Sequence, residues 1–166
     1  MRRIISRAGE EIAACRAAGI AVEVVPGITA AQGAAASLGV SLTHRSHARR
    51  LQYITGHDRE GKLPADIDWS SIADPSATTI VYMPKKTLAE LTTRAIAQGL
   101  DPATPAIAVA SATRPTETAV AAPVGQIAER IGEADIKGPV LVLIGRALES
   151  AIAMVDQEES PNLVAR

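Results

Sequence analysis

The spacing of hydrophobic positions changes several times along the chain. In "SRAGEEIAACRAAGI", Ile5, Ala8, Ile12 and Cys15 recur three or four residues apart and Gly19 stands where a C-terminal cap belongs, so the stretch predicts a helix. "AVEVVPG" then reads as a short β-branched strand stopped by Pro26-Gly27, and Thr29 is placed to cap a small-residue helix, "AAQGAAASLG". "RRLQYITG" alternates as a strand does, and "DREGKLPADIDWSSIADPSA" is a polar loop with at most one helical turn. "TTIVYM" is a continuous apolar run of the kind that buried strands carry. Pro84, at the first helical position, opens "KKTLAELTTRAIAQGL", with Leu88, Leu91 and Ala95 on one face and Gly99 at the close. The remainder predicts strands "PAIAVAS" and "ETAVAAPV" meeting across the short "SATRPT" turn, a helix "GQIAERIGEA", a strand "PVLVLIG" and a last helix from Arg146 to about Gln157. An α/β fold follows, with a mixed β-sheet of about five strands flanked by helices.

Composition narrows this picture. Hydrophobic residues make up 47% of the 166-residue chain but aromatic residues only 2%, with no phenylalanine, so the core is built from Ala, Val, Ile and Leu and each helix contact buries little area. Lys and Arg number 17 against 18 Asp and Glu, a balance that gives no global field to attract nucleic acid or an anionic membrane. No apolar stretch approaches membrane-spanning length, and the expectation is a cytoplasmic protein without nucleic-acid or membrane partners. Cys15 is the single cysteine, so neither an internal disulfide nor a multi-cysteine zinc cluster can form. His44 and His47 have H-x-x-H spacing, but no cysteine joins them and they lie in a loop, so no metal site is expected.

Candidate chemistry is sparse. "THRSHARR" concentrates Arg45, Arg49 and Arg50; the ordinary reading is a solvated loop, and the functional one is an anion site, because guanidinium groups grip carboxylates bidentately. Lys85 and Lys86 fall in the first turn of the helix opened by Pro84, where the macrodipole disfavours cations. No nucleophile elbow surrounds a serine, no G-x-G-x-x-G follows a strand and no G-x-x-x-x-G-K-S/T occurs, so neither a serine hydrolase nor a standard phosphate cradle is supported. What remains are tight turns and small residues at strand ends: Pro26 to Ala30, Tyr82 to Pro84, and Ser111 to Thr113. Open α/β sheets hold small ligands at such places through main-chain groups.

Taken in order, "AGIAVEVVPGITAAQGAAASLGVSLTHR", "YITGH", "TTIVYM" and "GPVLVLIGR" resemble the tetrapyrrole methylases, in their uroporphyrinogen III C-methyltransferase branch. The resemblance implies S-adenosyl-L-methionine as cofactor, a tetrapyrrole substrate and a homodimer. It also implies that the cofactor lies in a cleft between two domains, with residues 1–27 belonging to the first and 28–166 forming the second. Matched to the family, the cofactor contacts fall on Ile4, Thr29, Ala30, Met83 and Ala112, and Arg45 and Arg49 become candidates for the substrate's carboxylates. Ala112, and Pro84 after Met83, stand where glycine is usual, and their extra atoms crowd a ligand held by close backbone approach. Relatives precede the motif matching Arg7 to Glu11 with a glycine-rich domain, and the groups proposed for proton transfer lie there. The chain is therefore expected to be a C-terminal part, inactive alone, and no catalytic residue is assigned. Two alternatives stand beside this one: a non-catalytic module for dimerisation or tetrapyrrole binding, and a methyltransferase for a later corrin precursor.

Overall fold

The computed structural model describes residues 8–134 and 136–155, with side chains described as far as residue 152. The elements are α1 (Ala8–Ala17), α2 (Ala30–Ser37), β1 (Arg50–Thr55), α3 (Trp69–Ala73), β2 (Ala77–Tyr82), α4 (Leu88–Ala97), β3 (Pro105–Ala110), β4 (Thr118–Pro123), α5 (Ile127–Glu133), β5 (Val140–Ile144) and α6 (Glu149–Val155). The five strands form one sheet in the order β1-β2-β5-β3-β4. β1 and β2 run parallel, whereas β2–β5, β5–β3 and β3–β4 are antiparallel, so the sheet is mixed, as the sequence predicts.

Antiparallel sheets commonly leave one face to water, but here helices cover both. Alternation along the central strands divides their side chains. Val142 and Ile144 of β5, with Ala106, Ala108 and Ala110 of β3, pack under α4 and α5; Leu141 and Leu143, with Ile107 and Val109, pack under α2 and α6. That is why β3 and β5 read as unbroken apolar runs: all of their residues are buried. Ala31 and Ala34 of α2 have no exposure at all, and the short side chains let that helix lie close to the sheet.

Two expectations are corrected. The stretch "AVEVV" forms no strand; residues 20–29 pair with nothing in the sheet, and Val25 is 75% and Ile28 69% exposed. β propensity is realised only against a neighbouring strand, and none is presented to this segment among the described residues. The helix opened by Pro84 begins later, at Leu88. Pro84 to Thr87 form a turn instead, closed by the Thr87 N–H on the Pro84 carbonyl at 2.8 Å and tied back by the Thr87 hydroxyl, which donates to the Gly56 carbonyl. Lys85 and Lys86 thus precede the helix rather than occupying its first turn, and the Lys85 ammonium donates to the Ile136 carbonyl.

Candidate functional site

Three features converge at the carboxyl ends of β2 and β3. Both strands run antiparallel to β5, so they end side by side, flanking its start. The Met83 N–H donates to the Val140 carbonyl at 3.1 Å and the Ser111 N–H to the Pro139 carbonyl at 3.0 Å, and at these two residues the chain turns left-handed, with φ of +54° and +52°. Thr113, two residues on, has φ +67°. A side chain in this conformation costs roughly 1–2 kcal/mol, and no other described non-glycine residue adopts it. Three strained residues after the two strand ends that flank β5 mark a place where backbone direction is held against its preference.

The amino end of α2 is seated on this rim. Thr29 is its cap: the side chain accepts from the Gln32 N–H, while the Gln32 carboxamide oxygen accepts the Thr29 N–H at 3.1 Å, a reciprocal capping box. Thr29 is only 5% exposed. Gly33, one turn on, faces the turn after β3 so closely that a Cβ there would come within 2.6 Å of the Thr113 methyl. Ala30, Tyr82 and Ala112 all rest against the apolar cluster under α2. Thr29, Ala30 and Ala112 are therefore brought to one end of the sheet, with Met83, 41% exposed, at the end of β2 across the start of β5. Ile4 lies outside the described residues.

Two open clefts flank the start of β5. One, of about 570 Å³, is lined by Met83, His57, Arg59, Lys85, Lys86 and the 138–140 segment; the other, of about 770 Å³, lies over Ser111, Thr118 and Lys137. Gly138 borders both. In the first, the His57 Nδ1 is buried without a hydrogen-bond partner. Beside it, the Asp58 carboxylate accepts the Lys62 and Glu60 N–H groups, and the Lys62 hydrogen bond is the largest influence holding it below the usual carboxylate range.

The arginine cluster lies elsewhere. Residues 44–48 form a tight hairpin in which His44 and Ala48 exchange both backbone hydrogen bonds, and the His44 and His47 rings stack with centroids 3.8 Å apart. Arg49 donates its Nε–H to the Arg45 carbonyl at 2.9 Å and its N–H to Ser76, just ahead of β2. Arg45 and Arg49 thus sit by the amino ends of β1 and β2, at the other end of those strands from Met83. Arg50 is ion-paired to Asp74. Among the described residues no cluster of three or more His, Cys, Asp or Glu could hold a metal ion, and no helix is long and apolar enough to cross a membrane.

Sequence reasoning missed Gly56 and Gly33. A Cβ on Gly56 would lie 2.5 Å from the Pro84 Cα, so this glycine lets the turn after β2 close over the end of β1. The signal was present in "YITGH" as a small residue following a strand, but its partner is 28 positions away.

Residues 4–128 match the family model for Tetrapyrrole (Corrin/Porphyrin) Methylases. The chain belongs to this family. It is 38% identical over 145 residues to the siroheme synthase of Methylococcus capsulatus, covering 87% of this chain and 30% of that protein. It is 40% identical over 148 residues to the uroporphyrinogen-III C-methyltransferase of Paracoccus denitrificans, covering 89% and 51%. The chain thus spans about a third to a half of the length of these curated relatives. Among solved structures, uroporphyrin-III C-methyltransferase from Thermus thermophilus, complexed with S-adenosylhomocysteine, superimposes with a TM-score of 0.73 at 30% identity, over 89% of this chain and 63% of that one. The fold extends to a cobalt precorrin-4 methyltransferase, with a TM-score of 0.76 at 22% identity. The chain keeps the family's mixed five-stranded sheet, flanked by helices, within the described residues.

Proposed function

We propose that this chain supplies the C-terminal part of an S-adenosyl-L-methionine-dependent methyltransferase that converts uroporphyrinogen III to precorrin-2. The observation that carries the reading is the convergence of α2's capped amino end with two left-handed strand ends, at the edge of a sheet shared with a neighbour crystallised with S-adenosylhomocysteine. Thr29, Ala30, Met83 and Ala112 are the proposed cofactor contacts, with Ile4 from the preceding segment. The cofactor supplies an electrophilic methyl group, and the protein's part is to align it against the substrate carbon and exclude water.

The relation of residues 1–27 to 28–166 belongs to the same proposal. Residues 20–28 carry exposed Ile20, Val22, Val24, Val25 and Ile28, as expected of a segment that packs against a further domain across the cofactor cleft. The hairpin holding Arg45 and Arg49 lies at the other end of β1 and β2 from Met83. The two arginines reach the substrate only if its acid groups extend along β1 or a second copy brings them in. Charge-neutral Arg45→Gln and Arg49→Gln variants therefore weaken tetrapyrrole binding under this proposal, and unchanged binding removes both from it.

The deciding experiment is a calorimetric titration of the chain with S-adenosylhomocysteine, alone and after addition of a separately expressed N-terminal half of a relative. Binding in the mixture, loosened by Thr29→Ala and Met83→Ala, supports the proposal; a sufficient site in this chain is shown by tight binding alone. The absence of heat in both arms overturns the cofactor reading. It favours the second reading, a non-catalytic module that pairs through residues 20–28, for which dimers in light scattering are the expected observation.

A further inference from the structure

We infer that Tyr82 is a positioning residue for the ligand end of the sheet, its hydroxyl holding the first turn of α2 in place beside Met83. The first N–H groups of a helix have no partner within it. In α2 the capping box serves Thr29 and Gln32, and the Gly33 N–H already donates to the Thr29 carbonyl at 3.0 Å. The Ala31 N–H is beyond the reach of that arrangement. It donates instead to the Tyr82 hydroxyl oxygen at 3.3 Å, across 51 residues of sequence.

The acceptor is itself well fixed. The Tyr82 ring is half-buried against the cluster under α2 and lies 6.2 Å from the Tyr53 ring, centroid to centroid. Its carbonyl accepts the Gly56 N–H at 2.6 Å, and the next residue is the left-handed Met83, whose N–H is spent on Val140. One residue therefore joins the amino end of α2 through its hydroxyl, the end of β1 through its carbonyl and the turn after β2 through the chain. The consequence is geometric: Thr29 and Ala30 keep their spacing from Met83 because the helix is tied to the residue immediately before Met83. Loss of the hydroxyl leaves the ring's packing in place and releases only this tie.

The inference rests on the cofactor role proposed for Thr29, Ala30 and Met83, and its test separates the two. The wild-type chain is compared with Tyr82→Phe and, as a control in the same ring pair, Tyr53→Phe. Amide hydrogen exchange at Ala31, thermal stability and S-adenosylhomocysteine affinity, with and without the complementing half, are measured on each. Tyr82→Phe is expected to speed Ala31 exchange by about tenfold while leaving Ala34 and Ala35 unchanged, and to weaken S-adenosylhomocysteine by about three- to tenfold. Tyr53→Phe is expected to alter neither. Unchanged Ala31 exchange in Tyr82→Phe overturns the inference, as does a loss of affinity equal in both variants or proportional to lost thermal stability. If no variant and no wild-type sample binds S-adenosylhomocysteine, the cofactor reading fails, and the Ala31 result alone still decides whether the tie exists.

Discussion

Two stretches of this chain have almost the same appetite for β structure and meet opposite fates. β5, "VLVLI", lies between β2 and β3 with every residue buried. "AVEVV", residues 21–25, is as rich in valine, yet it forms no ladder and its valines stay exposed. The difference is not in the residues. A strand is stable when its N–H and C=O groups find partners and its two faces find cover. β5 has both: the Met83 N–H pairs with Val140 at its first residue, and the Ser111 N–H with Pro139 just before it. The burial of each Val or Leu there contributes roughly 1.5–3 kcal/mol, and the same side chains at 22, 24 and 25 contribute little of it.

The largest expected effect follows from the first half of that contrast. Leu143→Ala opens a hole among Ile80, Ile107 and α6 and is expected to cost about 2–5 kcal/mol in a chemical denaturation series. A cost below about 1 kcal/mol would mean that backbone pairing, not facial burial, holds β5 in place, and the comparison would have to be redrawn. Next in size is Gly56→Ala, which drives a methyl into the Pro84 backbone and is expected to cost about 1–3 kcal/mol. The informative control is Gly132→Ala in α5, where nothing lies within 4 Å and a gain of roughly 0.4–1 kcal/mol is expected. Equal effects at the two sites would deny that the 84–87 turn is closed onto β1. Thr29→Ala removes the cap of α2, and a loss of about 1 kcal/mol in the same assay is expected.

The strands and helices of the sheet were largely legible before the structure, because "TTIVYM", "PAIAVAS" and "PVLVLIG" are unbroken apolar runs and α4 carries a clear apolar face. Thr29 as a cap was legible for a local reason: its partner, Gln32, is three residues away. What escaped is non-local. "AVEVV" satisfies every local criterion for a strand, and what denies it is that no neighbour pairs with it among the described residues. Pro84 is a good first helical residue in isolation, but the Thr87 hydroxyl prefers the Gly56 carbonyl, which no spacing rule could reveal. Left-handed Met83 and Ser111 have no local signature either, since neither is a glycine; the antiparallel start of β5 imposes the turn.

A smaller effect tests a region that depends on no sheet partner. Asp58 caps its own turn by accepting the Lys62 and Glu60 N–H groups; the Lys62 hydrogen bond is the largest influence on its pKa, and the carboxyl stays below its ordinary value despite the opposing effect of desolvation. A carboxylate with a depressed folded pKa adds stability above its unfolded value and loses it as pH falls through the folded one. The 58–62 turn is therefore expected to loosen only below about pH 4, seen as a shift of the Lys62 amide resonance with acid. Asp58→Asn should abolish that dependence and leave the melting of β5 untouched. A change in β5 would show that the loop and the sheet are not independent.

The smallest expected effect is the most direct test of the contrast. Val24→Ser and Val25→Ser should each change the stability of the chain by less than about 0.5 kcal/mol, because an exposed side chain loses no burial when it becomes polar. Val142→Ser, the same chemistry inside β5, should cost several-fold more, since it both removes packing and buries an unpaired hydroxyl. If the outer pair instead destabilises by more than about 1 kcal/mol, residues 24 and 25 are already covered in solution, and the cover must come from another molecule. The stability of the wild-type chain should then rise with its concentration, and light scattering should give a mass above that of one chain. Stability independent of concentration, with both serine variants silent, leaves this segment as β-prone sequence awaiting a sheet edge; adding a complementing half should then protect the Val24 and Val25 amides from exchange.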